Sequence, residues 1–166
     1  MNNQKLIVQV QPYIDYSVRK LCVQPYYNHP KGCPNFNKKE GCPPNAEYFD
    51  KIYDLNKPVY AICNIFDLKN HMQRMEQRHP NWSDRQLRCC YYWQNSARKE
   101  LLNHIKDFYR EYGIKYKVNT CPEAMGVDII KTMQTANIQL EFPPQDITYQ
   151  IALAGIKNIN KHCIES

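Results

Sequence analysis

The sequence has no C-x2-C cysteine pair, no nucleotide-binding glycine pattern and no apolar run approaching a membrane span. Each absence removes a class of function. Its apolar segments stop well short of the about 20 residues a membrane helix needs. Leu6-Ile7-Val8 is too short for the apolar core of a secretory leader, so a cytoplasmic protein without membrane contact is expected. Without a leader, the eight cysteines do not read as a disulfide framework, because the cytosol keeps thiols reduced. The missing C-x2-C removes the tight turn by which structural zinc sites usually grip the ion. The five glycines form neither a phosphate loop nor a dinucleotide fingerprint, and no Ser-His-Asp order is present. Internal repeats and low-complexity segments are also missing.

At 166 residues the chain reads as a single domain over residues 1–166 that buries about two thirds of its unfolded surface. A metal is not needed to rescue so large a core, so a metal site here would serve chemistry or local ordering. The formal net charge of +6 is spread along the chain, with Arg19-Lys20 and Lys38-Lys39 only pairs. A solvated basic surface is the simpler account, ahead of nucleic-acid binding. Tyr26-Tyr27 and Tyr91-Tyr92-Trp93 keep the second account open, since aromatic rings beside basic residues can stack on bases.

The patterning predicts an α/β or α+β fold: a central mixed sheet with flanking helices and a cysteine-rich metal-cluster loop. Strands are expected at 6–10, 59–66, 114–119, 138–142 and 147–156, and 13–21 as a short helix or extended piece. Helices are expected at 46–54, capped by Asn45, and at 67–78. A long helix is expected from Ser83 to Tyr112, and a further one up to about Thr135. Ser83 and Gln86 form a capping box, Trp82 and Leu87 flank it as a staple, and Gly113 ends the long helix. Ala97, Leu101, Ile105 and Phe108 form its core stripe, with Cys90 continuing it and more buried than Cys89. Cys63 reads as a small buried hydrophobe. His71, His79, His104 and His162 fall at polar, exposed positions.

The stretch from Leu21 to Asn45 stands apart. It carries Cys22, Cys33 and Cys42, is broken by prolines and glycines, and has no apolar run for a helix or strand. So long a loop in a compact domain needs something to hold it, and thiolates converging on a metal supply that. The spacing C-x10-C-x8-C suits a larger object than a single ion, such as an iron–sulfur cluster. A proline directly after a ligand cysteine recurs in ferredoxin-type motifs. Pro34, Pro43 and Pro122 follow Cys33, Cys42 and Cys121, which selects Cys121 as fourth ligand over Cys63, Cys89, Cys90 and Cys163. His29, inside the loop, is the one histidine placed to replace a cysteine.

Two blocks carry a resemblance. Cys22…Cys33-Pro34-Asn35-Phe36…Cys42-Pro43-Pro44 is similar to a cysteine loop ending in Cys-Pro-Pro. The block from Cys121 to Thr132, with Glu123-Ala124-Met125-Gly126-Val127-Asp128, is similar to a Glu-Ala-Met-Gly-Ile-Asp block. Together they resemble the family of predicted metal-binding proteins of bacteria and archaea, a domain of unknown function, over most of the stretch from Cys22 to Gly155. The resemblance implies a metal site at Cys22, Cys33, Cys42 and Cys121. The chain departs from the family where Cys121-Pro122-Glu123 is contracted and where a second cysteine cluster is missing before it.

These residues lead to an iron–sulfur protein, [4Fe–4S] in form, acting in redox or sulfur-transfer chemistry on a small-molecule substrate or with an electron-transfer partner. The alternative is a zinc-ordered binding module, open to nucleic acid. Glu123 and Asp128 are candidates for proton transfer or for stabilising the following helix dipole. Gly126 would let the backbone approach closely at that helix's start, where an anion or cluster is favoured. Lys31, Lys38 and Lys39 would offset thiolate charge or face water.

Overall fold

Four extended runs build the sheet. The computed structural model describes residues 4–25, 30–141 and 143–158; Tyr26, Tyr27, His29, His162 and Cys163 lie outside them, as does the end of the strand expected at 138–142. The elements in chain order are β1 (Gln4–Val10), a 3-10 helix (Tyr16–Val23), α1 (Phe49–Ile52), β2 (Val59–Asp67) and α2 (Leu68–Arg78). Then come α3 (Asp84–Leu87), a 3-10 turn (Cys90–Tyr92), α4 (Gln94–Tyr112) and β3 (Tyr116–Asn119). A 3-10 helix (Pro122–Met125), α5 (Ile129–Gln134) and β4 (Ile147–Ile156) complete the order. The strands lie in the order β1-β2-β4-β3, and every pairing is antiparallel rather than mixed. No helix among the described residues is long and apolar enough to cross a membrane.

β2 and β4 are central and covered on both faces, which explains their near-continuous apolar runs. Val59, Ala61, Cys63 and Leu153 point to one side, where Phe49, Tyr53, Met125, Val127, Ile129 and Met133 cover them. Ile62, Ala152 and Ala154 point to the other, under Leu101, Ile105 and Phe108 of α4. Cys63 is fully buried, and burial pushes its thiol up to about 12. Asn64 donates to Ala97 O at 3.1 Å and to Gln150 Oε1 at 2.9 Å, tying α4 to the sheet.

Five expectations fail for physical reasons. The helix expected from Ser83 to Tyr112 breaks after α3, although its capping box forms. Trp93 is buried in a stack on Phe66 at 4.8 Å, and its indole N–H takes Arg88 O at 3.2 Å. A continuous helix would give that carbonyl to the Tyr92 amide, which instead donates to Cys89 O. The break leaves Cys90 exposed and Cys89 half-buried, the reverse of the expected order. Asn45 caps nothing: the Ala46 amide goes to Cys42 O, and the chain stays extended through Tyr48, shortening the helix to α1. Residues 138–141 form no strand, since β2 and β3 already occupy both edges of β4. His71, expected at the surface, is buried beside Phe66.

Burial, with Arg74 adding to it, holds His71 below the ordinary histidine value of 6.5, and its Nε2 has no partner. The unfolded chain therefore takes a proton first. Stability from a neutral His71 is complete above pH 6.5 and is lost as pH falls through the lowered folded value. His104 behaves likewise through burial and Lys5, opposed by Glu100 and Asp107. Chemical denaturation at a series of pH values is expected to show stability falling below pH 6.5, with part of the fall removed in His71→Leu and part retained through His104.

Candidate metal centre

The two cysteine-bearing segments meet because a strand exit docks on a helix. After β1, the Gln11 amide donates to Thr135 Oγ1 and the Tyr13 amide to Thr132 Oγ1, each at 2.9 Å. Asp128 N donates to Tyr13 O at 2.9 Å and Asp15 N to Gly126 O at 2.8 Å. Asp15 then caps the 3-10 helix Tyr16–Val23, accepting from Ser17 N at 2.9 Å and Ser17 Oγ at 2.6 Å. Those hydrogen bonds hold its carboxyl below the usual carboxylate range. This helix carries Cys22 and lies beside the short helix that follows Cys121.

The loop is closed by its own backbone. Cys33 N donates to Cys22 O at 2.7 Å, Cys42 N to Lys39 O at 3.0 Å and Ala46 N to Cys42 O at 2.9 Å. Gly32 permits the first closure: it has φ +80°, and a Cβ there would stand 2.6 Å from Cys22 O and 2.8 Å from Val23 Cα. The far end is strapped down by Arg19, whose guanidinium donates to Pro44 O at 3.1 Å and lies 4.4 Å over the Tyr48 ring. Tyr48 packs on Tyr16 at 4.1 Å, and Tyr16 Oη donates to Asp50 Oδ2 at 2.6 Å.

Burial and neighbouring charge act on two of the four predicted ligands, Cys22 and Cys121. Burial pushes the Cys22 thiol up; Cys33, Cys42 and Glu123 add to the rise, while Arg19 opposes it. Cys121 is exposed as a residue, yet partial desolvation of its thiol is the main cause of its own upward shift. A hydrogen bond with Thr120 and the nearby Arg98 lower it, whereas Glu123 and Cys42 raise it. Cys22 thus feels Cys33 and Cys42, Cys42 is felt by Cys121, and Glu123 acts on both Cys22 and Cys121. Burial raises Glu123 itself. All seven described cysteines are free thiols. Among the described residues, no three His, Cys, Asp or Glu side chains gather as ligands of an ion.

Other candidates take different places. Asp128 is a helix cap, accepting from Lys131 N at 3.0 Å and pairing with Lys131 Nζ at 3.3 Å. Gly126, at φ +82°, gives its Cβ space to the Tyr16 and Tyr48 rings at 3.0 and 3.2 Å, not to an anion. Lys31, Lys38 and Lys39 face water. The cations acting on the thiols are Arg19 and Arg98, which sequence reasoning missed. Arg19 lies one helical turn before Cys22, the only local signal; Arg98 comes from α4, far off in sequence. A scan against protein-family models, a search of curated proteins and a search of solved structures each return no match.

In the metal-free protein, timed alkylation read by mass spectrometry is expected to modify exposed Cys90 first and buried Cys63 last, with Cys22 slowed by its raised thiol. Gly32→Ala is expected to cost about 1–2 kcal/mol through its left-handed backbone, with further cost from the contact with Cys22 O, and to speed Cys22 alkylation. Gly41→Ala, where a Cβ meets nothing within 4 Å, is the matched control and leaves the rates unchanged.

Proposed function

We propose that Cys22, Cys33, Cys42 and Cys121 together hold an iron–sulfur cluster of the [4Fe–4S] kind, and that the chain acts in redox or sulfur-transfer chemistry. The observation that carries this reading is that the Cys33 amide closes on Cys22 O at 2.7 Å while the helix bearing Cys22 lies beside the short helix that follows Cys121. Thiols on two segments far apart in sequence share one neighbourhood, as a cluster ligand set must. The donor set is of the right chemistry, four free thiols with two arginines to offset thiolate charge, and the thiols would have to draw together around the cluster. Because burial favours the neutral thiols, loading the site releases protons and tightens as pH rises. The resemblance of the two cysteine blocks to predicted metal-binding proteins points the same way.

Four thiolates close a cluster and suit electron transfer, whereas three leave one iron open for Lewis-acid chemistry at a substrate. The chain's own contribution is a loop held by Gly32 and Arg19, with Glu123 beside the thiols. A second reading, a zinc-ordered module binding single-stranded nucleic acid, draws on one surface. His79 stacks on Trp82 at 4.0 Å, Tyr92 lies 4.9 Å from Trp82, and Tyr91 is 89 % exposed.

Anaerobic purification followed by iron, zinc and sulfide analysis tests the proposal. Visible absorbance with iron and sulfide in equal amounts is expected, lost in Cys33→Ser and Cys42→Ser and kept in Cys63→Ala and Cys90→Ser. Zinc without sulfide, or iron content untouched by Cys33→Ser, overturns it.

A further inference from the structure

A cleft of about 560 Å³ opens beside the cysteine site, between the Cys22-bearing helix, the start of α5 and the near end of β4. Its apolar floor and walls include Val18, Leu21, Ile130, Ile147 and Ile151. Leu21, Ile130 and Ile147 are among the large hydrophobic side chains that this chain leaves exposed, and the cleft gathers all three. Exposed apolar surface costs free energy in water, so its concentration in one concavity of ligand size marks a binding site.

The charged residues lining the cleft are Glu123, Asp128 and Glu141, and no described lysine, arginine or histidine joins them. In a chain of formal net charge +6 this is a local reversal of sign. Asp128 is engaged by Lys131. Glu141 accepts from Gln145 N at 3.3 Å, which leaves its other oxygen available. Glu123 takes its own backbone amide and is exposed at the cleft.

We propose that the cleft binds an amphipathic cation, an apolar body lying on Leu21, Ile130 and Ile147 and a protonated amine held by Glu123 and Glu141. Carboxylates select the amine through charge-assisted hydrogen bonds, and the aliphatic walls supply most of the area buried. Since Leu21 and Glu123 of the cleft wall stand one and two residues from Cys22 and Cys121, the charged end lies on the cysteine side of the cleft. That the amine is the substrate of the cysteine site rests on the cluster reading above; that the cleft binds it does not.

The test titrates the full chain with 4-phenylbutylamine, 4-phenylbutan-1-ol and 4-phenylbutyrate, read by calorimetry and by methyl chemical shifts. The amine is expected to bind at least about tenfold more tightly than the acid, with the alcohol between them. Shifts are expected at Leu21, Ile130 and Ile147. Glu123→Gln with Glu141→Gln is expected to bring the amine to the level of the alcohol while the alcohol's affinity holds. Val18→Trp, which fills the cleft, is expected to weaken all three. Equal affinity for amine and acid, or wild-type shifts confined to other residues, overturns the proposal without reference to any variant. Amine binding that persists in Cys33→Ser supports the cleft even if iron analysis overturns the cluster. Loss of the amine preference in iron-loaded protein overturns the cleft alone.

Discussion

The molecule depends on four hydrogen bonds that dock residues 11–15 against residues 126–135. Two use threonine hydroxyls of α5, Thr132 and Thr135, and two are backbone pairs at Tyr13 with Asp128 and Asp15 with Gly126. The Tyr13–Thr132 bond alone spans 119 residues of sequence. Thr132 is fully buried and its hydroxyl also donates to Asp128 O at 2.7 Å, so the donor and acceptor are both satisfied. A buried polar contact of this kind is worth about 1 kcal/mol net but costs more to leave half-made, which makes the register of the two segments specific. The helix that carries Cys22 and the short helix that follows Cys121 lie side by side because of that register.

The docking itself rests on the covered face of the sheet. Val127, Ile129 and Met133 pack over Ala61, Cys63 and Leu153, so α5 is placed by apolar burial before its threonines take up the strand exit. The opposite face carries α4 and bears less directly on the thiols, except through Arg98. One layer therefore supplies the cysteine site and its cleft, while the other supplies area and rigidity. Tyr16, Tyr48 and Arg19 then lock the loop's far end onto the same layer. Gly126 is needed here because a side chain would meet both rings.

Some of this was legible along the chain. β2 and β4 read as buried strands because residues facing both sides are apolar, and the α4 stripe of Ala97, Leu101, Ile105 and Phe108 recurs at helical spacing. The cysteine loop was legible as irregular, and its described residues are held by turns and single backbone closures. The break before α4 was not legible. The capping box at Ser83 is a true local signal, but Trp93 reaches Phe66 on β2, and no local rule weighs that burial against helix continuation.

The strands β1, β2, β3 and β4, the stripe of α4 and the buried thiol of Cys63 follow from residue type and spacing, since alternation, periodicity and caps act over a few residues. Contacts between segments decided the rest. Asp128 became a cap and Gly126 a seat for tyrosine rings, while Arg19 and Arg98 came to face thiols. Glu123 became the carboxylate shared by cysteine site and cleft. Charge and packing act through space, and only the folded chain sets which residues are close.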